Sequence, residues 1–308
     1  MTWQAVASKD FQDASRSRWL WVLTGLFVLI FAAPAILIFG GGLGSAPKDA
    51  GNTDGYLYLM KQGTSIIVPL ISVVVGYAAV TRERESGTMK LLLSLPHSRD
   101  DMVFGKVIGR AGVVGVSILV GVVVTAVALV VTGLEFRIVN YLVFVLLTLL
   151  LGLVFVGLAT GISAAVSTSR RAMGLTMSIY MFFVVLWNAF ANQVANLLSE
   201  TIGVGTATQF QTIMFLKLLN PTAAYKTLLN SALLSAQPDI QNHVFQARVR
   251  MFGGSTGMEI LARRQTAAKA INETVPLWAS DLFVVIYMLV WLFVPVAIGY
   301  FLFQKADL

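Results

Sequence analysis

The sequence contains no cysteine and only two histidines, His97 and His243. Disulfides, thiolate metal sites and cysteine nucleophiles are therefore excluded, and a multi-histidine metal centre is implausible. Charged residues are also scarce, at 12% of the 308 positions, whereas a soluble domain has about a quarter. Because a soluble catalytic domain needs a polar surface, little of this sequence is available to form one.

Motifs for catalysis and nucleotide binding are missing as well. A phosphate-binding loop reads GxxxxGK[ST], but the only Gly-Lys pair, Gly105-Lys106, is followed by valine and lacks the upstream glycine. The sequence shows no paired carboxylates, serine triad or metal-ligand spacing in a plausible site. We therefore predict that the chain is not an enzyme and binds no cofactor itself, so that any energy source lies on another chain.

Apolar sequence is abundant: 57% of the residues are hydrophobic, and the mean hydropathy is +0.79. Spanning a bilayer takes about 20 mostly apolar helical residues, and six runs approach or exceed that length. The predicted spans are residues 19–39, 63–80, 108–132, 141–166, 172–194 and 282–303. We therefore predict an all-α membrane protein with six transmembrane helices in one domain, residues 1–308.

Three further segments accompany the spans. Residues 2–17 repeat apolar positions at helical spacing, which predicts an amphipathic helix lying in the membrane interface or a solvated helical arm. Residues 82–107 are densely charged. The long stretch 195–280 is less apolar and is predicted to contain helices. Its polar part, 238–270, is either a docking surface for an external partner or anionic substrate, or a solvated hairpin.

The basic residues predict the orientation of the chain. Of 22 Lys and Arg residues, twelve lie in the termini and loops on one side of the predicted spans, three in short loops on the other, and seven in the long stretch. Cytoplasmic loops carry the excess of basic residues, and long loops are largely exempt from this rule. Both termini and residues 82–107 are therefore predicted to be cytoplasmic, and residues 195–280 external.

Small and polar residues within the spans suggest how the helices pack. Gly157 and Gly161 form a GxxxG pattern in the fourth span, typical of close helix approach either at a dimer seam or within one chain. Asn188, Asn192 and Gln193 in the fifth span either bond between helices or line a polar pathway. No ionisable residue lies in the middle of a span, which argues against an ion-coupled transporter.

The charged segment has helix-capping chemistry at both ends. Ser86 is an N-cap residue type, and Glu83 and Glu85 lie beside it, where a helix dipole favours carboxylates. Pro96 ends the following apolar turns, and Ser98-x-x-Asp101 reads as a capping box that starts the next helix. We predict a short helix across the cytoplasmic face, which either contacts a partner or rests on the bilayer.

These residues resemble a known signature. Glu85-x-Gly87-Thr88, Leu91-Leu92, Pro96-x-Ser98-Arg99 and Gly105-Lys106 are similar to the coupling-helix region of ABC transporter type-2 permeases, most closely the NosY-like branch. In that family the coupling helix docks into a groove of an ATPase subunit. The residues that the resemblance assigns to ATPase docking are Glu83, Glu85, Gly87, Thr88, Leu91, Leu92, Leu93, Pro96, Arg99 and Lys106.

The resemblance implies a permease subunit in the cell (plasma) membrane, in contact with lipids but not with nucleic acid. It implies two ABC-type ATPase subunits that carry the ATP and Mg²⁺, and a second permease copy that forms a homodimer. The expected function is export of a substrate or mechanical transmission across the membrane, driven by ATP hydrolysis on the ATPase chains. A non-transport membrane scaffold that anchors an external complex is the alternative.

Overall fold

The computed structural model describes residues 3–16, 18–39, 53–88, 99–203, 206–235 and 277–305, and this part of the chain is almost entirely helical. The α-helices are α1 (Trp3–Arg16), α2 (Arg18–Pro34), α3 (Thr53–Gly76), α4 (Thr81–Glu85), α5 (Arg99–Val131), α6 (Ile138–Ala165), α7 (Ser169–Met181), α8 (Trp187–Ile202), α9 (Thr206–Leu219), α10 (Pro221–Ser235) and α11 (Asp281–Gln304). Short π-helical segments follow α2 (Ala35–Phe39) and α7 (Phe182–Leu186), and a 3-10 turn (Leu277–Ala279) precedes α11.

Six stretches of this helical structure are long and apolar enough to cross a membrane. They are Leu20–Ile38, Thr53–Glu85, Arg99–Val131, Ile138–Ala165, Ser169–Leu198 and Asp281–Gln304. Each contains most or all of one predicted span, so the predicted all-α membrane fold with six spans is confirmed. The interfacial location of α1 stays a prediction.

The second spanning helix begins earlier than the sequence indicates. Residues 40–62 read as a Gly-rich polar loop, but α3 starts at Thr53. Tyr56 and Leu57 are buried, and the Tyr56 hydroxyl donates to the Phe31 carbonyl oxygen at 2.7 Å. Tertiary contacts of α3 therefore outweigh the polar composition of these two helical turns, and local sequence does not reveal such contacts.

Two compact units make up the chain: residues 1–180 with 290–308, and residues 181–289. The second unit includes α8, which continues to Ile202, so the predicted external segment begins inside this helix. The segment also contains α9, α10 and the 3-10 turn. Its polar part, 238–270, lies outside the described residues.

The GxxxG glycines pack inside the first unit. A Cβ added to Gly161 would lie 2.6 Å from the carbonyl carbon of Pro295, and one added to Gly157 would lie 2.9 Å from Leu292 Cδ1. Gly299 on α11 is equally close to the backbone of Gly161, since an added Cβ would lie 2.7 Å from its Cα. These glycines therefore let α6 and α11 approach within one chain, which decides between the two interpretations of the motif.

Candidate functional site

Helix α4 ends where the sequence predicts that a helix starts. The Ser86 N–H donates to the Arg82 carbonyl oxygen at 3.0 Å, and the Ser86 hydroxyl donates to the Glu83 carbonyl oxygen at 3.2 Å. Gly87 has a φ of +71°, the left-handed conformation that commonly ends a helix. Ser86 is therefore the C-cap of α4, a role that the sequence did not indicate. Thr88 is helical again, and the predicted coupling helix beyond it lies outside the described residues and stays a prediction.

Glu85 connects α4 to the start of α7. Its Oε1 accepts the Ser169 N–H at 2.8 Å, and its Oε2 accepts the Ser169 hydroxyl at 2.6 Å. The first N–H groups of a helix lack partners within the helix, and a carboxylate at that end is favoured by the helix dipole. Glu85 thus serves as a cap supplied by a neighbouring helix, and it fixes the turn between α6 and α7 to α4.

A buried serine holds the N-terminal side of α4. Ser163 on α6 accepts the Val80 N–H at 3.1 Å and the Thr81 N–H at 3.2 Å through its hydroxyl oxygen. Arg84 adds a hydrogen bond of 3.2 Å from Nη1 to the Val166 carbonyl oxygen. The short α4 is therefore attached along its length to the end of α6.

A cluster of four charged residues also involves α4, and we call it the ion-pair cluster: Asp10, Glu83, Lys106 and Arg110. Asp10 and Lys106 are buried, whereas Glu83 and Arg110 are partly exposed. Lys106 Nζ pairs with Asp10 Oδ1 at 3.1 Å and with Glu83 Oε1. Arg110 Nε lies 3.0 Å from Asp10 Oδ2. The side chains of Lys106 and Asp10 are 7% and 5% exposed, so both charges are removed from water and depend on their partners.

Helix α1 lies directly on the first turns of α5. A Cβ added to Gly105 would lie 2.6 Å from Val6 Cβ, and one added to Gly109 would lie 2.8 Å from Asp10 Cβ. The Trp3 N–H at the start of α1 donates to Asp101 Oδ1 at 2.8 Å. The apolar stripe of α1 is therefore buried, at least in part, against protein.

Arg99, at the start of α5, binds the end of α11. Its Nη1 donates to the carbonyl oxygens of Phe303 at 3.1 Å and Gln304 at 2.6 Å. Its guanidinium carbon lies 5.9 Å from the centre of the Phe303 ring, and that of Arg84 lies 6.0 Å from it. Since the last carbonyl groups of a helix lack partners and carry partial negative charge, Arg99 is well placed to cap α11.

The comparison with known proteins decides the family. The family model described as ABC-2 family transporter protein matches residues 4–308. This chain belongs to that family. It is a transmembrane permease subunit of an ABC transporter, and the family implies that an ATPase subunit is its partner.

Two curated relatives have the same printed name, probable ABC transporter permease protein NosY. The protein from Stutzerimonas stutzeri is 27% identical over 227 residues, which make up 72% of this chain and 79% of that protein. The protein from Pseudomonas aeruginosa is 28% identical over 233 residues, with the same coverage of both chains. The resemblance seen in the sequence is therefore confirmed at the level of the family.

The structure brings four of the predicted docking residues of this permease into contacts between different helices. Glu83 and Lys106 pair with each other, Glu85 binds Ser169, and Arg99 binds the end of α11. Gly87 and Thr88 are exposed. The remaining predicted docking residues lie outside the described residues: Leu91, Leu92, Leu93 and Pro96.

Sequence reasoning missed Asp10, Arg110 and Ser169, which are partners of the predicted residues. The available signal for Asp10 was its position four residues after Val6 and three after Ala7, on the buried face of α1. A carboxylate on an apolar face indicates a buried cation opposite. The identity of that cation depended on the fold, because Lys106 is 96 positions away.

The polar residues of α8 belong to the second unit and are exposed: Asn188, Asn192 and Gln193. In the described part of this unit, other residues make hydrogen bonds between its segments. Trp187 Nε1 donates to the Leu216 carbonyl oxygen at 2.8 Å, and Asn220 Nδ2 donates to the Phe183 carbonyl oxygen at 2.7 Å. Phe183 lies in the π-helical segment, where backbone carbonyl groups need partners from outside the helix. Asn220 therefore stabilises this irregular turn.

The titratable groups that the structure describes include no metal cluster, and two lysines outside the spans have shifted pKa values. Among the residues that the structure describes, no group of three or more His, Asp or Glu side chains could hold a metal ion. Burial lowers the pKa of Lys217 and Lys226 on α9 and α10 from the usual value of a lysine. Desolvation alone accounts for this direction, because it disfavours the ammonium form.

Proposed function

We propose that this permease couples ATP hydrolysis on a separate ATPase chain to export of a substrate or to mechanical transmission across the membrane. Residues 82–107 are the coupling segment, which contacts the ATPase. The complex contains two permease copies as a homodimer and two ATPase subunits, which bind the ATP and Mg²⁺. It lies in the plasma membrane with both permease termini in the cytoplasm.

The observation that supports this proposal is the attachment of the coupling segment at both of its ends. Glu83 and Lys106, near its two ends, pair with each other. Between them, Glu85 binds the start of α7 and Arg99 binds the end of α11. A force that the ATPase applies to the middle of the segment would therefore move several spanning helices, because folded elements that are held together by buried contacts move as units.

The exposed positions of the segment then provide the contact with the ATPase. Gly87 and Thr88 follow the end of α4 and are exposed on the protein surface. The next predicted docking residues in the sequence are Leu91, Leu92, Leu93 and Pro96. In the proposal these leucines fill an apolar groove of the ATPase. Contacts within the permease orient the segment, and the residues that make them are Glu83, Glu85, Arg99 and Lys106.

The test compares two glycines that have the same backbone constraint. Gly87 and Gly133 have φ angles of +71° and +77°, and an added Cβ would meet nothing within 4 Å at either position. Replacement by alanine strains both turns by about 1–2 kcal/mol. We expect Gly87→Ala to reduce copurification with the ATPase and the ATP turnover of the complex, whereas Gly133→Ala, in the turn after α5, retains both.

Equal effects of the two variants would contradict the role of the coupling segment. Absence of any ATPase in purified wild-type complexes, together with recovery of a complex on the external side, would instead support the scaffold alternative. Orientation is tested separately with a single cysteine at Ser98, since the chain has no cysteine of its own. Labelling from the external side alone would contradict the cytoplasmic assignment.

A further inference from the structure

The ion-pair cluster joins three helices and is balanced in charge. Asp10 lies on α1, Glu83 on α4, and Lys106 and Arg110 on α5. Two carboxylates therefore face two cations. Lys106 Nζ contacts both carboxylates and lies between α1 and α4. This one ammonium group connects the N-terminal helix to the base of the coupling segment.

Helix packing reinforces the same connection. Gly105 and Gly109 bring the backbone of α5 so close to α1 that an added Cβ would lie within 3.0 Å of Val6 or Asp10. The Trp3 N–H also binds Asp101. Helices in such close contact cannot slide past each other without losing this packing, since protein interiors contain few voids.

We propose that Asp10 is a positioning residue of the coupling mechanism. Through Lys106 it fixes Glu83, so that α1, α4 and the first turns of α5 move as one body when the ATPase displaces the coupling segment. The inference rests on the proposed function and extends it, because it adds the N-terminal helix to the part of the permease that moves.

The burial of the cluster supports this role. An exposed ion pair separates easily, because water replaces each partner. Lys106 and Asp10 are 7% and 5% exposed, so separating them would leave charges without compensation in a poorly solvated place. Glu83 is 23% exposed, but its cation partner, Lys106, is the same buried ammonium group that pairs with Asp10. The connection therefore persists when the ATPase displaces the segment, and α1 moves together with α4.

The experiment measures the distance between α1 and α4 in the full-length protein. Single cysteines replace Ser8 and Arg82, which are both exposed, and each receives a nitroxide spin label. The labelled chain is diluted with unlabelled chain, so that distances within one subunit dominate. Distances are measured by electron–electron double resonance in the complex with its ATPase, without nucleotide and after trapping with ATP and vanadate.

Two double variants dissect the cluster while keeping its charge balanced. Glu83→Gln with Lys106→Met removes the ionic attachment of α4 and leaves the pair of Asp10 and Arg110. Asp10→Asn with Arg110→Met removes the ionic attachment of α1 and leaves the other pair. The control, Asp54→Asn with Arg137→Met, removes an ion pair of 2.9 Å at the N-terminal end of α3, remote in sequence from α4.

We expect wild type and control to show one narrow distance that trapping does not change. We expect each double variant to lose the single narrow distance, and to lose the effect of the permease on ATP turnover. The inference would be overturned if the distance between the two labels in wild type changed on trapping. It would also be overturned if the double variants kept the wild-type distance. Failure of the proposed function is distinguishable: no ATPase would copurify with wild type, whereas the distances without nucleotide would still report on the cluster.

Discussion

The contact between α6 and α11 gives a prediction whose magnitude follows from the geometry. In Gly161→Ala the new Cβ would lie 2.6 Å from the carbonyl carbon of Pro295. Carbon atoms in favourable contact are about 3.5–4.0 Å apart, so the two helices must separate by about 1 Å. The neighbouring atoms belong to the backbone, so a side-chain rotation cannot relieve the contact.

Two opposing terms set the expected change in the free energy of unfolding. Overpacking in a well-packed interior costs about 1–3 kcal/mol, and loss of the contact surface along both helices adds to that cost. Alanine gains about 1 kcal/mol over glycine in a helix interior. Because the separation affects the whole contact, we expect Gly161→Ala to destabilise the permease by about 1–3 kcal/mol.

Gly25 on α2 is the matched control, since an added Cβ there would meet nothing within 4 Å. Gly25→Ala gains the higher helix propensity of alanine without introducing a steric clash. We expect it to be neutral or to stabilise the protein by up to about 1 kcal/mol. Unfolding in mixed micelles by titration with sodium dodecyl sulfate, followed by tryptophan fluorescence, measures both variants. Equal stability of the two would refute the reasoning. Dissociation of a dimer without a loss of monomer stability would place Gly161 at a subunit seam instead.

The same titration tests three other contacts. Lys106→Met leaves the buried Asp10 with only Arg110 and removes the cation that pairs with the partly exposed Glu83, and should cost about 3–5 kcal/mol. The charge-balanced double variant with Glu83→Gln should be closer to wild type, and a larger loss there would contradict the electrostatic explanation. Asn220 Oδ1 also accepts the Thr222 N–H at 2.8 Å and so caps α10. Asn220→Ala removes this cap and the bond to a carbonyl of the π-helical segment, at about 2–4 kcal/mol; an unchanged midpoint would show that the segment needs no partner. Tyr56→Phe should cost about 1 kcal/mol, and no change would argue against the contact between α2 and α3.

The six spans are the part of this protein that the sequence could predict. A run of apolar residues is a local property, and the length of the bilayer core fixes how many are needed. A helix that satisfies its own backbone hydrogen bonds is the structure open to such a run. The family signature was equally readable, because the spacing of Glu85, Gly87, Thr88 and Pro96 lies within one short segment.

Element boundaries were less predictable where tertiary contacts outweigh composition. Helix α3 begins at Thr53 because Tyr56 and Leu57 are buried, although the surrounding sequence is polar. Ser86 has a side chain suited to the start of a helix, but the positive φ of Gly87 makes it the end of α4. The same residue type can cap either end of a turn, so local sequence left its role open.

By itself, the sequence determined the helical class, the number of spans and the family of this permease, because each depends on residues close together in the chain. The tertiary structure decided which charges meet and which glycines allow contact. Lys106 pairs with Asp10 across 96 positions, and Gly161 faces α11 within the chain. Such pairings depend on how helices distant in sequence pack side by side, since a buried charge is stabilised by whichever opposite charge the fold brings within reach.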